Sequence, residues 1–215
     1  YVFTPGINTT LVPKERAPRT YQDLLDPQWK GKMAWNPSSI AGAIGFVGNM
    51  LTSMGDERGM DYLRALAAQR IVNVEASARA ILDQVIAGKY AIGLMSFNHH
   101  TVISAQKGAP SDWLKLEPVA VAFDAVGILK DAPHPNAAKL WMEYLYSDEG
   151  QNIWLSGYCN PIRYDDMAAK NTLDPAALAK LPDSKGTQLP TLAQITAASK
   201  AITAGWPITV GVTVK

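Results

Sequence analysis

The chain is 215 residues long, and its content of 47% hydrophobic and 18% charged residues is typical of a globular protein with one or two cores. No run approaches the roughly 20 consecutive apolar residues that a membrane-spanning helix needs. The formal net charge is +1, with Lys and Arg scattered singly, which argues against a nucleic-acid partner because such a partner needs a concentrated basic face.

The N-terminal segment predicts a strand and then a short helix. Residues 1–4 suggest an edge strand that ends at Pro5-Gly6, and this segment lacks the basic start and apolar core of a signal peptide. Thr20 is expected to cap a short helix over residues 21–25, because its hydroxyl can accept a hydrogen bond from the first turn. The Asp26-Pro27 pair then predicts a turn.

Residues 31–53 predict a short strand followed by a helix. Gly31 reverses the chain before a strand over residues 32–35, and Ser38 or Ser39 is expected to cap a helix over residues 40–53. That helix contains three glycines spaced three residues apart, namely Gly42, Gly45 and Gly48. Such a stripe permits close approach by a strand or by a ligand, and we favour tight packing of the helix on a sheet.

Two further strand–helix units follow along the chain. A helix over residues 56–69 precedes a strand over residues 70–74, and Ser77 is expected to cap a helix over residues 78–87 that ends at Gly88. The apolar run over residues 90–95 suits the middle of a parallel sheet. Alternating strands and helices predict an α/β fold, in which right-handed βαβ units place helices over a parallel core sheet.

The remaining chain predicts an extended segment over residues 119–129 and two helices that end near residue 155. Residues 174–181 and 191–203 look helical, and residues 208–214 alternate as a strand does. Four tryptophans at apolar positions are expected to lie in a core: Trp29, Trp35, Trp141 and Trp154.

Two segments carry a resemblance to a known family. The first is Asp26-Pro-Gln-Trp-Lys-Gly-Lys-Met-Ala-Trp35, and the second is Ala132-Pro-His-Pro-Asn-Ala-Ala-Lys139 running on to Ser147-Asp-Glu-Gly-Gln151. In this order and spacing they resemble the extracellular solute-binding proteins of ABC importers, in the branch that includes ferric-iron binders. The resemblance covers residues 1–163 and implies a type II periplasmic-binding fold, a location in the periplasm or outside the cell, a small-molecule ligand and a membrane permease as partner.

The resemblance also implies a division of the chain into parts of two lobes. Residues 1–12 would form the crossover between lobes, residues 13–118 the second lobe, residues 119–171 a return to the first lobe, and residues 172–215 a tail that rejoins the second. Most of the first lobe is then expected to be missing. Apolar surface on the return segment would be covered by that lobe or by a second copy of the chain.

Polar residues follow each predicted parallel strand, where ligands of open α/β sheets bind. Ser38, Ser39 and Ser77 precede helices, whose free N–H groups suit an oxyanion. Capping alone would also explain these serines. The predicted ligand site comprises the following residues, of which several rest on the resemblance: Asn8, Ser38, Ser39, Ala41, Gly42, Ser77, Asn98, His99, His100 and Arg163. An anionic ligand is favoured over a bare cation.

The Asn98-His99-His100 phrase departs from the pattern of the resembled branch. There, an Asn followed by two tyrosines would hold ferric iron through phenolates, which are hard anionic ligands. Neutral imidazole instead prefers zinc, copper, nickel or ferrous iron. Three alternatives stay open for His99 and His100: metal ligands, hydrogen-bond partners of an organic ligand, or plain surface residues. Adjacent residues do not share a face in a regular helix or strand, so a common metal ion would require a bend.

The resemblance places Asn8 and Arg163 near the cleft or hinge. Arg163 could pair with an anionic ligand, or it could hold a loop through a salt bridge. An enzyme that uses Cys159 with His99 or His100 is the alternative function, but the sequence contains no phosphate loop or nucleophile elbow. We therefore expect no enzyme activity and no cofactor.

Overall fold

The computed structural model describes residues 2–39, 41–117, 119–121, 125–179 and 181. These residues divide into two compact units, a larger one over Val2–Val121 and a smaller one over residues 125–181. None of the described helices is long and apolar enough to cross a membrane. The assignment of chain segments to two lobes stays a prediction.

The larger unit contains a mixed sheet of six described strands: β1 (Val2–Asn8), β2 (Met33–Trp35), β3 (Val72–Asn73), β4 (Ile92–Phe97), β5 (Ser111–Trp113) and β6 (Ala120–Val121). Their order is β3-β2-β4-β1-β5, and β6 also pairs with β1. β2 is parallel to β3 and β4, which confirms the predicted parallel core. β1 runs antiparallel to β4, β5 and β6.

The same unit contains three 3₁₀-helices (Lys14–Arg16, Tyr21–Leu25 and Pro27–Trp29) and four α-helices: α1 (Ala43–Met54), α2 (Asp56–Ala67), α3 (Ala78–Ile86) and α4 (Asn98–Gln106). Thr20 caps its 3₁₀-helix through a capping box with Asp23, as predicted. Ser77 caps α3 by accepting from Ala80 N, and Gly88 follows that helix with a φ of 81°.

The prediction that β1 is an edge strand ending at Pro5-Gly6 is wrong. β1 lies inside the sheet and continues to Asn8. The strand tolerates Pro5 because the register with β4 shifts between Thr4 and Gly6, and this irregularity leaves the missing N–H of proline without consequence. The Pro5 carbonyl accepts a hydrogen bond from Leu114 N at 2.9 Å.

The prediction that Ser38 or Ser39 caps α1 is also wrong. The helix begins only at Ala43, after Gly42, which makes no side-chain cap. The loop first curls back, so that Ala43 N donates to the Asn36 carbonyl at 2.8 Å. A Cβ on Gly42 would collide with that carbonyl oxygen, so glycine is required by close backbone approach rather than by its φ of −150°.

The larger unit has a core of buried apolar side chains between its sheet and helices. Trp29 and Trp35 belong to it, with 4% and 1% of their surface exposed, as predicted. A cluster at the parallel end of the sheet is formed by Ala34, Ile81, Val85 and Tyr90.

The smaller unit consists of four described helices: α5 (Pro135–Tyr146), α6 (Asp148–Ser156), α7 (Tyr164–Lys170) and α8 (Pro175–Leu178). Helices α5 and α6 match the two predicted helices, and Asp174 caps α8. Between residues 125 and 129 the chain forms neither helix nor strand, so of the predicted extended segment only β6 is regular among the described residues. The predicted helix over residues 191–203 and strand over residues 208–214 lie outside the described residues.

The prediction that Trp141 and Trp154 lie in a core is wrong. They are 57% and 40% exposed. Trp141 lies on α5, which buries none of its residues, and Trp154 lies on α6, whose buried residues are Gly150, Gln151 and Leu155. Nine large apolar side chains of this unit are exposed: Val126, Ile128, Leu129, Leu140, Trp141, Tyr146, Ile153, Trp154 and Ile162. The apolar exposure that the sequence predicted for this segment is therefore present.

Candidate functional site

Apart from Asn8 at the end of β1, the predicted site residues of the larger unit follow three adjacent parallel strands. In the order β3-β2-β4 the carboxyl ends meet at one edge of the sheet. We call the described segments that follow these strands, residues 74–77, 36–39 with 41–42, and 98–100, the strand-end site. This is the edge at which open α/β sheets bind their ligands.

Two of these segments are tied together by side-chain hydrogen bonds. Ser38 Oγ donates to Glu75 Oε1 at 3.1 Å, and Asn36 Nδ2 donates to the Ala76 carbonyl at 2.8 Å. Ser38, Glu75 and Ser77 are all exposed, so the bridge lies at the surface of the larger unit. The structure thus brings the Ser38 and Ser77 segments together, as expected from parallel strands.

The serines of the strand-end site already have structural partners. Ser39 Oγ accepts from Ala41 N at 3.1 Å, and Ser77 Oγ accepts from Ala80 N at 3.2 Å. Gly42 is buried against the Asn36 carbonyl. These contacts account for serine at positions 39 and 77 and for glycine at position 42. Contact of these residues with a ligand stays a prediction.

Asn98, His99 and His100 form the first turn of α4, directly after β4. The residue before the helix, Phe97, supplies no side-chain cap, so the first N–H groups of α4 are not capped by a side chain there. The positive end of the helix dipole lies at the same place, which favours a ligand oxygen over a cation.

The two imidazoles lie close together, contrary to the expectation for adjacent residues. Their ring centroids are 4.3 Å apart, and the Phe97 ring lies 5.3 Å from His99 and 5.2 Å from His100. Phe97 in turn packs on Phe3 of β1 at 4.6 Å. The rings of Phe97, His99 and His100 therefore form one packed cluster where β4 ends and α4 begins.

Both histidines have pKa values below the ordinary range. Burial lowers the pKa of His99 to about 4, and the neighbouring His100 adds to the shift. Burial also lowers the pKa of His100, and Arg79 lowers it further while Asp83 opposes the change. The pair is therefore neutral at neutral pH and can both donate and accept hydrogen bonds. Among the described residues no group of three potential ligands could hold a metal ion.

Arg79 and Glu75 are the site residues that the sequence prediction omitted. Arg79 donates to Ser104 Oγ of α4 at 3.0 Å and to Asp83 Oδ1 at 2.7 Å, which places its charge beside His100. Its position in the first turn of α3, two residues after Ser77, was the available signal.

Asn8 acts as a structural residue of β1. Its side chain is buried, with Nδ2 donating to the carbonyls of Val85 and Ile86 at 2.9 and 3.1 Å. Its Oδ1 accepts from Thr10 N and Leu11 N at 2.9 and 3.2 Å. These four bonds use the hydrogen-bonding capacity of the amide, and ligand contact by Asn8 stays a prediction.

Arg163 lies in the smaller unit and holds a loop there. Its guanidinium contacts Asp148 Oδ1 at 2.8 Å and the Tyr146 carbonyl at 2.6 Å, and it pairs with Asp166 through two nitrogens. This is the salt-bridge alternative that the sequence left open, and a ligand role for Arg163 stays a prediction.

Comparisons with known proteins agree with this architecture. A family model described as bacterial extracellular solute-binding protein matches residues 2–186. The chain is 28% identical over 153 residues to iron uptake protein A2 of Synechocystis sp., covering 64% of this chain and 44% of that protein. It spans less than half the length of the curated relatives it matches.

Solved structures show the same fold. The periplasmic binding protein AfuA from Actinobacillus pleuropneumoniae, determined with fructose-6-phosphate, has a TM-score of 0.71 at 19% identity. Iron-bound HitA from Pseudomonas aeruginosa has a TM-score of 0.64 at 22% identity. Each alignment covers 99% of this chain and 67% of the solved chain, and the predicted type II periplasmic-binding fold is confirmed. The chain belongs to the bacterial extracellular solute-binding proteins, as its sequence resemblance and predicted location indicated.

Proposed function

We propose that this chain is part of the substrate-binding component of an ABC importer, and that it captures a small solute at the strand-end site. In the whole protein a second lobe closes over the solute, and a membrane permease receives the closed form. Closure of this kind is driven by the difference in solute affinity between open and closed states.

The observation that carries the proposal is the start of α4. An N-terminus without a side-chain cap coincides with two neutral imidazoles at the carboxyl end of a central strand. These groups offer hydrogen-bond donors and a partial positive charge to a solute oxygen. An organic anion, a carboxylate or a phosphate ester, is therefore the proposed cargo class. A metal ion held by His99 and His100 is the less favoured cargo, since a helix N-terminus repels a cation.

The exposed apolar side chains of the smaller unit support a further part of the proposal. Contiguous apolar surface of more than a few hundred Å² is unusual on a monomeric protein. We infer that Leu140, Trp141 and their exposed neighbours are covered in the whole protein by further polypeptide of the same lobe or by a second copy. Light scattering measures whether the whole protein is a monomer, and its structure shows whether these side chains are covered. A monomer in which they remain exposed to solvent would contradict this inference.

The family consists of solute-binding proteins rather than enzymes. No observation in the described residues favours the alternative of a small α/β enzyme that uses Cys159 with His99 or His100. The proposed function needs no catalytic group and no cofactor.

The test is titration calorimetry on the intact protein, freed of bound solute by unfolding and refolding. The probes are a panel of carboxylic acids and phosphate esters, together with Fe³⁺, Zn²⁺ and Cu²⁺. Replacing both His99 and His100 by Ala should lower the affinity for an organic anion roughly tenfold, since each lost hydrogen bond contributes about 1 kcal/mol or less.

A true metal site at the histidines would instead lose at least about a thousandfold in metal affinity when both ligands are removed. His134→Ala, a change of an exposed histidine in the smaller unit, is the matched control and should leave affinity unchanged. If a probe binds the double variant with unchanged affinity, the site lies elsewhere. Failure of every probe to bind would count against the proposed cargo class.

A further inference from the structure

The helix that begins at the strand-end site buries a polar face. The residues of α4 that are almost fully buried are Asn98, Thr101 and Ser104, with 1%, 0% and 4% of their surface exposed. They lie three residues apart and so share one side of the helix. Val102 and Ile103, the large apolar residues of α4, are only half-buried. This pattern is the reverse of an ordinary helix that packs on a sheet.

The sheet beneath α4 is polar as well. Helix α4 packs on β1, β4 and β5. Thr4 of β1 lies directly opposite Ser96 of β4, and Ser111 of β5 lies opposite Asn8 of β1. Thr4, Ser96 and Ser111 are 2%, 1% and 5% exposed.

These residues face the side of the sheet that α3 and α4 cover. Ser96 Oγ lies over Gly6 and Gly93, next to side chains of α3. Asn8 bonds to the last carbonyls of α3, and Arg79 of α3 bonds to Ser104 of α4. We call the resulting set the polar layer: Thr4, Ser96, Asn98, Thr101, Ser104 and Ser111.

Four atoms of the polar layer have no hydrogen-bond partner within the part of the chain that the structure describes. They are Thr4 Oγ1, Ser96 Oγ, Asn98 Nδ2 and Ser111 Oγ. Native proteins leave few buried polar atoms unpaired, because each costs free energy comparable with a lost hydrogen bond. Four such atoms on elements that pack together therefore call for hydrogen-bond partners from outside the described residues.

We propose that the polar layer is a buried hydration site, in which ordered water molecules bridge the hydroxyls of Thr4, Ser96 and Ser111 to the amide of Asn98. Water both donates and accepts hydrogen bonds, which fits a set of three hydroxyls and one N–H donor. A cation would meet the amide donor unfavourably. A buried anion would lack a compensating charge, because Arg79, which touches the layer through Ser104, is paired with Asp83.

This hydration site gives the first turn of α4 its connection to the sheet. It acts together with the packing of His99 and His100 on Phe97, which positions the two rings. The inference does not depend on which solute the protein binds.

The sign of a stability change tests the proposal. Ser96→Ala, Ser111→Ala and Thr4→Val each remove one hydroxyl with little change in shape. If water bridges these hydroxyls, each change leaves a water and its other partners unpaired, and Tm of the intact protein should fall by about 2–4 °C. If the hydroxyls are dry, removing them relieves a desolvation cost, and Tm should rise or stay constant; that result would overturn the proposal.

Thr101→Val is the matched control, because Thr101 Oγ1 already donates to the Asn98 carbonyl at 2.6 Å. Its Tm should fall in either case and calibrates the loss of one bond in this layer. A crystal structure of the unchanged protein should show water within hydrogen-bond distance of Ser96 Oγ and Asn98 Nδ2. A dry layer would refute the hydration site.

Discussion

Replacing Asn8 by Ala separates a structural role from a ligand role at this position. The side chain of Asn8 is 3% exposed and makes four hydrogen bonds at 2.9–3.2 Å, all of them to backbone groups. The alanine variant removes all four bonds. The Val85 carbonyl keeps Gly88 N as a partner and Leu11 N keeps the Asn8 carbonyl, so the loss falls mainly on the Ile86 carbonyl and the Thr10 N–H. Each such bond contributes about 1 kcal/mol net, and solvent repairs part of the loss, so we expect a decrease of about 2–4 kcal/mol in the free energy of unfolding.

The assay is urea unfolding followed by circular dichroism, with amide hydrogen exchange as a local probe. Exchange at Thr10 should accelerate, because its N–H group loses the Asn8 side-chain oxygen, and it should accelerate more than at Leu11, whose N–H keeps the Asn8 carbonyl at 3.1 Å. Asn160→Ala, at an exposed asparagine, is the control and should change stability by less than about 0.5 kcal/mol. Unchanged stability of the Asn8 variant together with a tenfold loss of solute affinity would refute the structural assignment.

Three further outcomes follow from the same structure. Gly42→Ala should destabilise by about 2 kcal/mol or more, because its Cβ meets a backbone carbonyl, whereas Gly127→Ala, with open space around it, should be nearly neutral by denaturant melts. The pKa of His99 falls from 6.5 to about 4 and that of His100 is also lowered, so the folded state binds fewer protons than the unfolded state in this window. Stability should therefore fall as pH drops from about 6.5 toward 4, and changing both histidines to Gln should flatten the profile of urea midpoint against pH. Arg163→Gln should lower the Tm of the protein in calorimetry without changing solute affinity, since its side chain is engaged in loop contacts; a loss of affinity at constant Tm would assign it to the ligand instead.

The parallel core could be predicted because its signals are local. A short apolar run bounded by turn residues, such as residues 90–95, has few alternatives to a buried strand. Ser77 and Thr20 were predictable caps for the same reason, since a cap is decided within one turn of helix. The elements that depend on a few neighbouring residues were therefore the ones that the sequence predicted.

Elements that depend on long-range contacts were not predictable in this way. Pro5 predicts the end of a strand, but a register shift against β4 and a bond from Leu114 accommodate it. Ser38 and Ser39 precede a helix pattern, but the loop turns back on Asn36 before the helix begins. The partner of Pro5 is distant in sequence, and the Asn36 loop is itself held by a distant contact, since Asn36 Nδ2 donates to the Ala76 carbonyl. Single-sequence patterns do not contain these contacts.

The same distinction between local and long-range contacts applies to the candidate site. Its location at the ends of β2, β3 and β4 follows from parallel topology, which the sequence predicted. The proximity of the His99 and His100 rings follows from packing on Phe97, which lies immediately before them but whose own position is set by Phe3 in another strand. Site position was thus predictable, whereas site geometry required the fold.

On the proposed function, the histidine pair changes the cargo without changing the scaffold. Two phenolates would bring negative charge to the start of α4 and could hold a hard cation against the helix dipole. Two imidazoles with lowered pKa values bring none, and the carboxylate of Glu75 is already engaged by Ser38. A cation at this site would meet a partial positive charge with Glu75 as the one carboxylate of these segments, whereas a carboxylate or phosphate oxygen would meet donors at the start of α4. The same sheet edge can therefore serve either class of solute, and the residues of the first turn of α4 decide between them.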